Sequence, residues 1–451
     1  MFDIIGKLRG DKTIWAIVFL LALVSFLPVY SASTNLVYVV GNGTTIGHLF
    51  KHAVHVLLGF GIIYWIHKMP YHYFKALSIF GIPLVALLLV YTLFKGTEIG
   101  GANASRWIQI PFVGVSFQTS TLAFIVIMVY VARYLAKVSD KVYSFKESFL
   151  ELWVPVGGVL VLILPANFST TALIFAMICM LIFIGQYPLK YLGIVLAMGF
   201  SALLLFILLG KAFPDNKYFN RVNTWEKRIE RFTKDTPNED DYQIEKAKIA
   251  IASGGVIGLG AGKSVQKNFL PQSSSDFIFA IIVEEWGLVG AVTIIGLYLL
   301  LLIRFVINAQ KATSLFGKLL IIGLGFPIIF QAFVNMGVAV ELLPVTGQPL
   351  PLISSGGTSI WMTCIAVGII LSVTKKEEEV ALDLEEKRKR DEALQQIIDA
   401  QVDLNEEKDA DENQQKINDI KSSIRESLIE DENGDVLVNG QNPMNAVLNK
   451  K

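Results

Sequence analysis

Cysteine is almost missing from this chain: there are two in 451 residues, Cys179 and Cys364. Both fall inside apolar runs, where a thiol behaves as a small hydrophobe, so no disulfide framework or cysteine metal cluster is implied. Charge is scarce too, at 17% Asp, Glu, Lys and Arg with a formal net charge of +0. The zero total is uninformative by itself, but charge placement is not, and nothing in it suggests a nucleic-acid partner. The first apolar run follows Lys7, Arg9 and Lys12 yet lacks a clear small-x-small cleavage site, is long, and is followed by further runs. It reads as a retained helix rather than a signal peptide. Lysine and arginine are absent from the short loops 33–45, 165–167 and 341–356.

What is abundant is hydrocarbon: 53% of the residues are hydrophobic, which describes a polytopic membrane protein. A run of about 20 apolar residues spans roughly 30 Å of bilayer core. Such runs lie near 13–32, 46–67, 73–94, 117–137, 148–164, 168–186, 189–210, 276–307, 317–340 and 357–374, predicting an all-α fold of ten transmembrane helices over residues 1–375. Pro165 and Asn167 make the tight turn that separates the fifth from the sixth. The loops that do hold basic residues carry Lys68 and Lys75, Arg133 to Lys146, Lys190, Arg304 to Lys318, and Lys375 with Lys376. By the positive-inside rule these face the cytoplasm together with both termini. Loop 95–116, the large loop 211–275 and the start of the helix after Ser275 then face outward. The stretch from Asn223 to Lys248 suits a surface amphipathic helix. Residues 376–451 form a charged cytoplasmic tail, in which Ile417, Ile420, Ile424 and Leu428 recur at helical spacing, with disorder expected from Asp431.

The sequence PQSSSDFIFAIIVEEWG, residues 271–287, carries three acids into apolar sequence. An acid near mid-helix costs roughly 2.5–3.5 kcal/mol, which invites a functional reading. Asp276 admits two. Ser273-x-x-Asp276 at a helix start resembles a capping box, with the acid at N3; alternatively the carboxylate reacts. Glu284 and Glu285, two turns deeper, are too far in to be caps and read as internal pairing groups.

Other motifs have bland counterparts. GLGAGKS, Gly258 to Ser264, looks like a phosphate loop, but that pattern needs Gly where Ile257 stands and a strand that is not there. A nucleotide site is rejected, while Lys263 remains a contact for a lipid phosphate. His48, His52 and His55 share a helix face, but Lys51 stands among them and no carboxylate is near in sequence, so a polar stripe fits better than a metal site. Arg106 with the interfacial Trp107 is a candidate for an anionic headgroup. ELLPVTGQPLPLISSGGTS, residues 341–359, concentrates Pro344, Pro349, Pro351, Gly347, Gly356 and Gly357 into an irregular wall suited to a cavity or gate.

Together RWI-x-IP-x-x-G-x-SFQ at 106–118, PANFSTTA at 165–172, IASGGVIGLGAGKSVQK at 251–267 with its flanks, SSDFIFAIIVEEWGLVG at 274–290 and NMGVAVELLPVTGQPLPLISSGGTS at 335–359 resemble the SEDS family of peptidoglycan polymerases. The resemblance extends from roughly residue 10 to 375 and, within the family, is nearer the cell-division than the elongation members. It implies a lipid II glycosyltransferase on the outer face of the cytoplasmic membrane, working with a class B penicillin-binding protein and other division proteins. Asp276 matches the family's essential acid, with Ser275 beside it. Lys51, Arg106 and Trp107 match substrate-contacting positions; Glu284 and Glu285 match an acid pair; Asn335, Pro351, Gly356 and Gly357 fall on structural positions. The resemblance further implies inversion at the anomeric carbon, Asp276 as base, and Arg106, Lys51 and Lys263 as pyrophosphate contacts. No cofactor is evident, although pyrophosphate chemistry admits Mg or Mn. This chain departs from many relatives at Gln272, Ser274 and Thr346, so roles held elsewhere by those positions do not transfer. An elongation role, a lipid II flippase and a tail-borne scaffold are the competing readings; a flippase should carry polar groups from face to face.

Overall fold

In a computed structural model, the described residues are 8–38, 43–96, 107–110, 115–139, 141, 143–212, 239–270, 272–406, 420–423, 428–430 and 436–438. Chain contacts divide the protein into Met1–Lys375 and Lys376–Lys451.

The first unit is a bundle of helices: α1 Lys12–Tyr38, α2 Thr45–Ile66, α3 Tyr73–Lys95, α4 Thr119–Val138, α5 Phe145–Ser148, α6 Val154–Ile163, α7 Phe168–Ile184, α8 Leu189–Ala212, α9 Glu239–Gly254, α10 Ile278–Lys311, α11 Leu315–Ala339 and the start of α12 Gly357–Glu406. Their beginnings are written in short polar residues that accept bonds from free helix N–H groups. Asp11 accepts from Thr13 N at 2.8 Å, and Thr44 from Gly47 N at 3.0 Å. Asn167 accepts from Thr170 N at 3.3 Å, and Ser314 from Gly317 N at 3.0 Å. Ser144 and Glu147 form a full capping box.

Among the described residues, eight helices are long and apolar enough to cross a membrane. Two of the ten expected spans fall short of that length. Apolar α7 has 17 residues. The fifth expected span is split into α5, a π-helical turn Phe149–Trp153 and α6. That π turn holds Glu151, whose backbone carbonyl accepts the Tyr130 hydroxyl; Pro155 follows near the start of α6, where its missing N–H is tolerated.

Helices α4 and α11 are mostly buried and lie at the centre, whereas α8 is mostly exposed and lies at the rim. The outward faces of α2, α3 and α8 expose Leu57, Trp65, Phe80, Phe94 and Phe200, the apolar surface that a bilayer covers. Between α3 and α4 an antiparallel hairpin pairs β1 Trp107–Ile110 with β2 Val115–Gln118. At the other end of the bundle Asp11 ties three helices. It accepts Asn308 Nδ2 at 2.6 Å and Arg304 Nε at 3.0 Å, while its N–H donates to Thr374 Oγ1 at 3.1 Å. Burial raises the Asp11 pKa, but these donors and the Arg304 charge outweigh it and hold the carboxyl below its ordinary value.

The second unit contains the outer part of α12 and a hairpin of β3 Leu428–Glu430 with β4 Val436–Val438. Leu428 is thus a strand residue paired with Val438, against the helical spacing expected from Ile417 onward. Strand β4 likewise lies within the stretch expected to be disordered.

Candidate active site

The start of α10 differs from the other helix starts. Residues 272–277 form consecutive turns, with Gln272 at φ 61°. The N-cap is Phe277 and no side chain caps the helix. Asp276 therefore stands one residue before the cap, not at N3, and the capping-box expectation is overturned. The turn is held by backbone instead. Phe277 N donates to Gln272 O at 3.3 Å and Ser355 N to Ser274 O at 2.9 Å. Ser354 Oγ donates to Ser275 O at 2.6 Å. The Ser275 hydroxyl is turned to Gln272 Oε1, 2.7 Å away.

Asn335, near the end of α11, is the clamp. Its Nδ2 donates to Asp276 O at 2.7 Å and to Gln348 O at 2.8 Å. The side chain is 1% exposed and its Oδ1 makes no hydrogen bond. The Gln348 amide in turn donates to Thr170 Oγ1 at 3.0 Å, and Gln331 Nε2 to Pro349 O at 2.9 Å. Gly347 faces the acid so closely that an added Cβ would lie 3.5 Å from Asp276 Oδ2. The Pro-rich segment is thus a wall folded over a half-exposed carboxylate. Pro351 is buried in that wall, and its carbonyl accepts the Tyr298 hydroxyl.

The same wall continues into a second space. Ser355, Gly356 and Gly357 line a polar cavity of about 160 Å³ together with Ser33, His48, Lys51, His52 and His55. Gly357 opens α12, so free helix N–H groups border a space already lined by a lysine, an arrangement suited to an anion. His55 is fixed between the Lys51 carbonyl, 2.5 Å from Nδ1, and the stacked ring of Trp361. His52 Nε2 lies 2.7 Å from Ser25 Oγ. His52 and His55 are thus engaged within the helix bundle, and His48 lines the same cavity. Among the described residues no three His, Cys, Asp or Glu side chains converge as a metal site.

Glu284 and Glu285 are 1% exposed, and their partners are backbone and hydroxyl groups. Glu284 accepts Val265 N at 2.9 Å, Gln266 N at 3.1 Å and the Ser264 hydroxyl. Glu285 accepts the Ser31 hydroxyl. The glycine loop before α10 is joined still more directly. Gly287 has φ 65° and ψ −161°, which breaks the helix. An unbroken helix would bond Leu288 N to Glu284 O and Val289 N to Glu285 O. Here Leu288 N goes to Gly255 O at 2.9 Å and Val289 N to Val256 O at 3.2 Å, while Leu259 N and Gly260 N take the two vacated carbonyls at 3.0 and 2.9 Å. The loop is spliced into the helix with four bonds, as buried non-helical backbone requires. Lys263 lies exposed on this loop, outside the Lys51 cavity. Trp107 is half-buried on β1, and Arg106 lies outside the described residues.

Sequence reasoning missed Gln348 and Gln331, the amides that fasten the wall; the polar residue inside GQPLP was the available signal. It also missed Lys248, which from α9 reaches Glu341 at 2.6 Å on the surface. The bond that Lys248 donates to Glu341, together with that residue's charge, raises the Lys248 pKa.

The profile of the FtsW/RodA/SpoVE family, described as cell cycle proteins, matches residues 11–379. The probable peptidoglycan glycosyltransferase FtsW of Geobacter sulfurreducens is 35% identical over 335 residues, 73% of this chain and 85% of that relative. Its counterpart in Coxiella burnetii is 28% identical over 372 residues, 81% of this chain and 96% of the relative. Among solved structures, the rod shape determining protein RodA of Thermus thermophilus matches with a TM-score of 0.57 at 24% identity, covering 82% of this chain and 99% of that one. A chain from a peptidoglycan synthase complex that coordinates polymerization and crosslinking matches with a TM-score of 0.61 at 24% identity, covering 82% and 98%. A membrane bundle with an acid at a helix mouth and a family match over most of the length lead to one conclusion: the chain belongs to the FtsW/RodA/SpoVE family, the SEDS proteins.

Proposed function

We propose that this protein is a peptidoglycan glycosyltransferase of the division type, polymerising lipid II on the outer face of the cytoplasmic membrane. The observation that carries the reading is Asp276: a half-exposed carboxylate in an uncapped turn, its backbone clamped by Asn335. One wall, residues 347–357, runs from that acid to the Lys51 cavity. Asp276 takes the proton of the acceptor sugar 4-hydroxyl as that oxygen attacks the anomeric carbon of the donor. The carbon–oxygen bond to undecaprenyl pyrophosphate breaks, with inversion. Lys51 and the start of α12 steady the leaving pyrophosphate. Arg106 and Lys263 are further anion contacts from the outer loops. A divalent cation would enter with the pyrophosphate as part of the substrate, and no step here needs it.

The orientation has two supports. Basic loops recur at one end of the bundle, and the Asp11–Arg304 contact gathers the start of α1 and the far part of α10 at one end. The division role is favoured over elongation by relatives named FtsW at up to 35% identity over most of the chain. The partner we expect is a class B penicillin-binding protein that cross-links the new strand, in keeping with the synthase complex among the structural neighbours.

The test is glycan formation from lipid II by the purified full chain, with and without that transpeptidase. Asp276→Asn should lose activity by about 10²–10⁴-fold, the usual worth of a general base, with an unchanged melting profile. Full activity in that variant would sink the assignment of the base. Wild-type protein that moves lipid II across vesicles but makes no glycan would support the flippase instead.

A further inference from the structure

His55 lies one turn after Lys51 on α2, and its ring is held in one tautomer. Nδ1 is 2.5 Å from the Lys51 carbonyl oxygen. A carbonyl only accepts, so Nδ1 carries the ring hydrogen, and in the neutral imidazole Nε2 is a bare lone pair. Trp361 fixes the plane of the ring. The two rings stack with centroids 5.3 Å apart, and the indole Nε1 donates to the His55 carbonyl at 3.2 Å. The aim of Nε2 follows from Gly357, the first residue of α12: a Cβ added there would collide with Nε2 and Cδ2. Glycine thus lets the ring edge sit against the helix start.

His55 is 6% exposed and lines the polar cavity with Lys51. Its Nε2 has no hydrogen-bond partner among the described residues. A buried polar atom without a partner is costly, and this one borders a space suited to an anion. An anion there attracts a proton to Nε2, and a proton on Nε2 attracts the anion; the coupling is reciprocal. The neighbouring rings are not equivalent. The Ser25 hydroxyl donates to the Ala22 carbonyl at 2.6 Å, so its oxygen receives the His52 Nε2–H at 2.7 Å. That nitrogen is committed to α1. Besides His55 and His52, the titratable groups lining the space are His48 and Lys51 on α2. The linings from α1 and from residues 355–360 are uncharged, and no carboxylate is among them.

We propose that His55 is a further contact for the leaving diphosphate, beside Lys51: as a diphosphate enters, Nε2 takes a proton from water and donates that N–H to a phosphate oxygen. The proton stays on the ring while the carbon–oxygen bond breaks. The leaving group then gains one negative charge, so this bond is strongest where it is most useful. The ring returns the proton to water as the diphosphate departs. This rests on the glycosyltransferase reading, in which a diphosphate is the leaving group.

The experiment has two arms on the full-length protein. In the first, calorimetry in two buffers of different ionisation enthalpy reads the binding of farnesyl-diphospho-N-acetylglucosamine. This ligand is a diphosphate diester with no acid group that titrates near neutrality, so proton uptake reports the protein. Wild type should take up as much as about one proton per ligand near neutral pH. His55→Gln, whose amide donates without titrating, should lose most of that uptake. Gly357→Ala keeps the imidazole but displaces Nε2, and should lose it too. Undiminished uptake in both variants would place the proton elsewhere, on His48 first, and overturn the proposal. In the second arm, glycan formation from lipid II is compared across pH. His55→Asn can still bond the Lys51 carbonyl but has no atom at Nε2, and kcat should fall about 10–100-fold, the worth of one bond to a charged group. His55→Gln should lose less, and the wild-type advantage over it should shrink as pH rises. Equal losses in Asn and Gln with a flat pH ratio would mean that the ring only packs. Proton uptake without any glycan would count against the glycosyltransferase reading alone; glycan formation with undiminished uptake in His55→Gln would count against this proposal alone.

Discussion

Replacing Gly258 by alanine should unfasten the glycine loop from α10 without unfolding the bundle. Gly258 has φ 90°, and a Cβ there would run into the Glu285 carbonyl. A side chain in the left-handed region costs about 1–2 kcal/mol. Backbone cannot yield as a flexible side chain does, so the loop must lift and lose the bonds Leu259 N to Glu284 O and Gly260 N to Glu285 O. Each lost bond costs about 0.5–1.5 kcal/mol net, and more where its buried partner stays unpaired. The sum is about 2–5 kcal/mol. At about 1.4 kcal/mol per factor of ten, amide exchange at Leu259 and Gly260 should accelerate by roughly one and a half to three and a half powers of ten. Leu288 and Val289, whose acceptors are Gly255 and Val256, should follow. Hydrogen exchange with mass spectrometry of the purified protein reads both segments, and Gly157→Ala is the control. A Cβ at Gly157 meets nothing within 4 Å, so that helical position should be neutral or gain up to about 1 kcal/mol. Unchanged exchange at 255–260 and 288–289 in the Gly258 variant would refute the splice.

Asn335→Ala should lower kcat by about tenfold or more with little change in KM, because Asp276 and Gln348 lose their common donor; single-turnover assays separate this from weakened binding. Asn335→Asp, which supplies no amide N–H, should fail to rescue. Asp11→Asn leaves Arg304 without its carboxylate and should cost about 1–3 kcal/mol at neutral pH. Because the folded Asp11 carboxyl sits below its ordinary pKa, its contribution is present at neutral pH and is lost as pH falls below about 3.9. Wild-type and variant melting temperatures should therefore converge in acid, and a constant gap would contradict this. Lys248→Ala should leave the melting temperature nearly unchanged, since both partners are exposed and water screens the pair; a clear drop would mean α9 hangs on this one contact.

Most of the bundle could be read from hydropathy because hydrocarbon admits few alternatives: a run long enough to span must satisfy its own backbone, and a helix does so. The caps at Thr44, Asn167 and Ser314, which the structure shows, act as locally, each on an N–H three residues on. The fifth expected span was not, since nothing in FLELW states that the helix will widen to a π turn around Glu151. The setting of Asp276 was not legible, because Ser273-x-x-Asp276 has capping spacing while the backbone turns through Gln272 instead. The long-range bonds decide that, and Ser354 is 79 residues from Ser275. Glu284 and Glu285 were read as internal pairing groups, and among the described residues their partners are loop amides and hydroxyls in place of the cations that charge pairing suggests. The clamp by Gln348 was hidden because an amide in a proline-rich stretch gives no sign of what it reaches.

The splice at Gly287 also bears on how the protein is made. Gly258 leaves the ribosome 29 residues before Gly287, an interval on the order of a few seconds at about 5–20 residues per second. Throughout that interval the amides of Leu259 and Gly260 and the carbonyls of Gly255 and Val256 have no helix to join, and water must serve them. The glycine loop therefore has to wait on the aqueous side of the membrane until α10 arrives, and its closure is a late event in biogenesis that reports the correct insertion of the helix that follows Asp276.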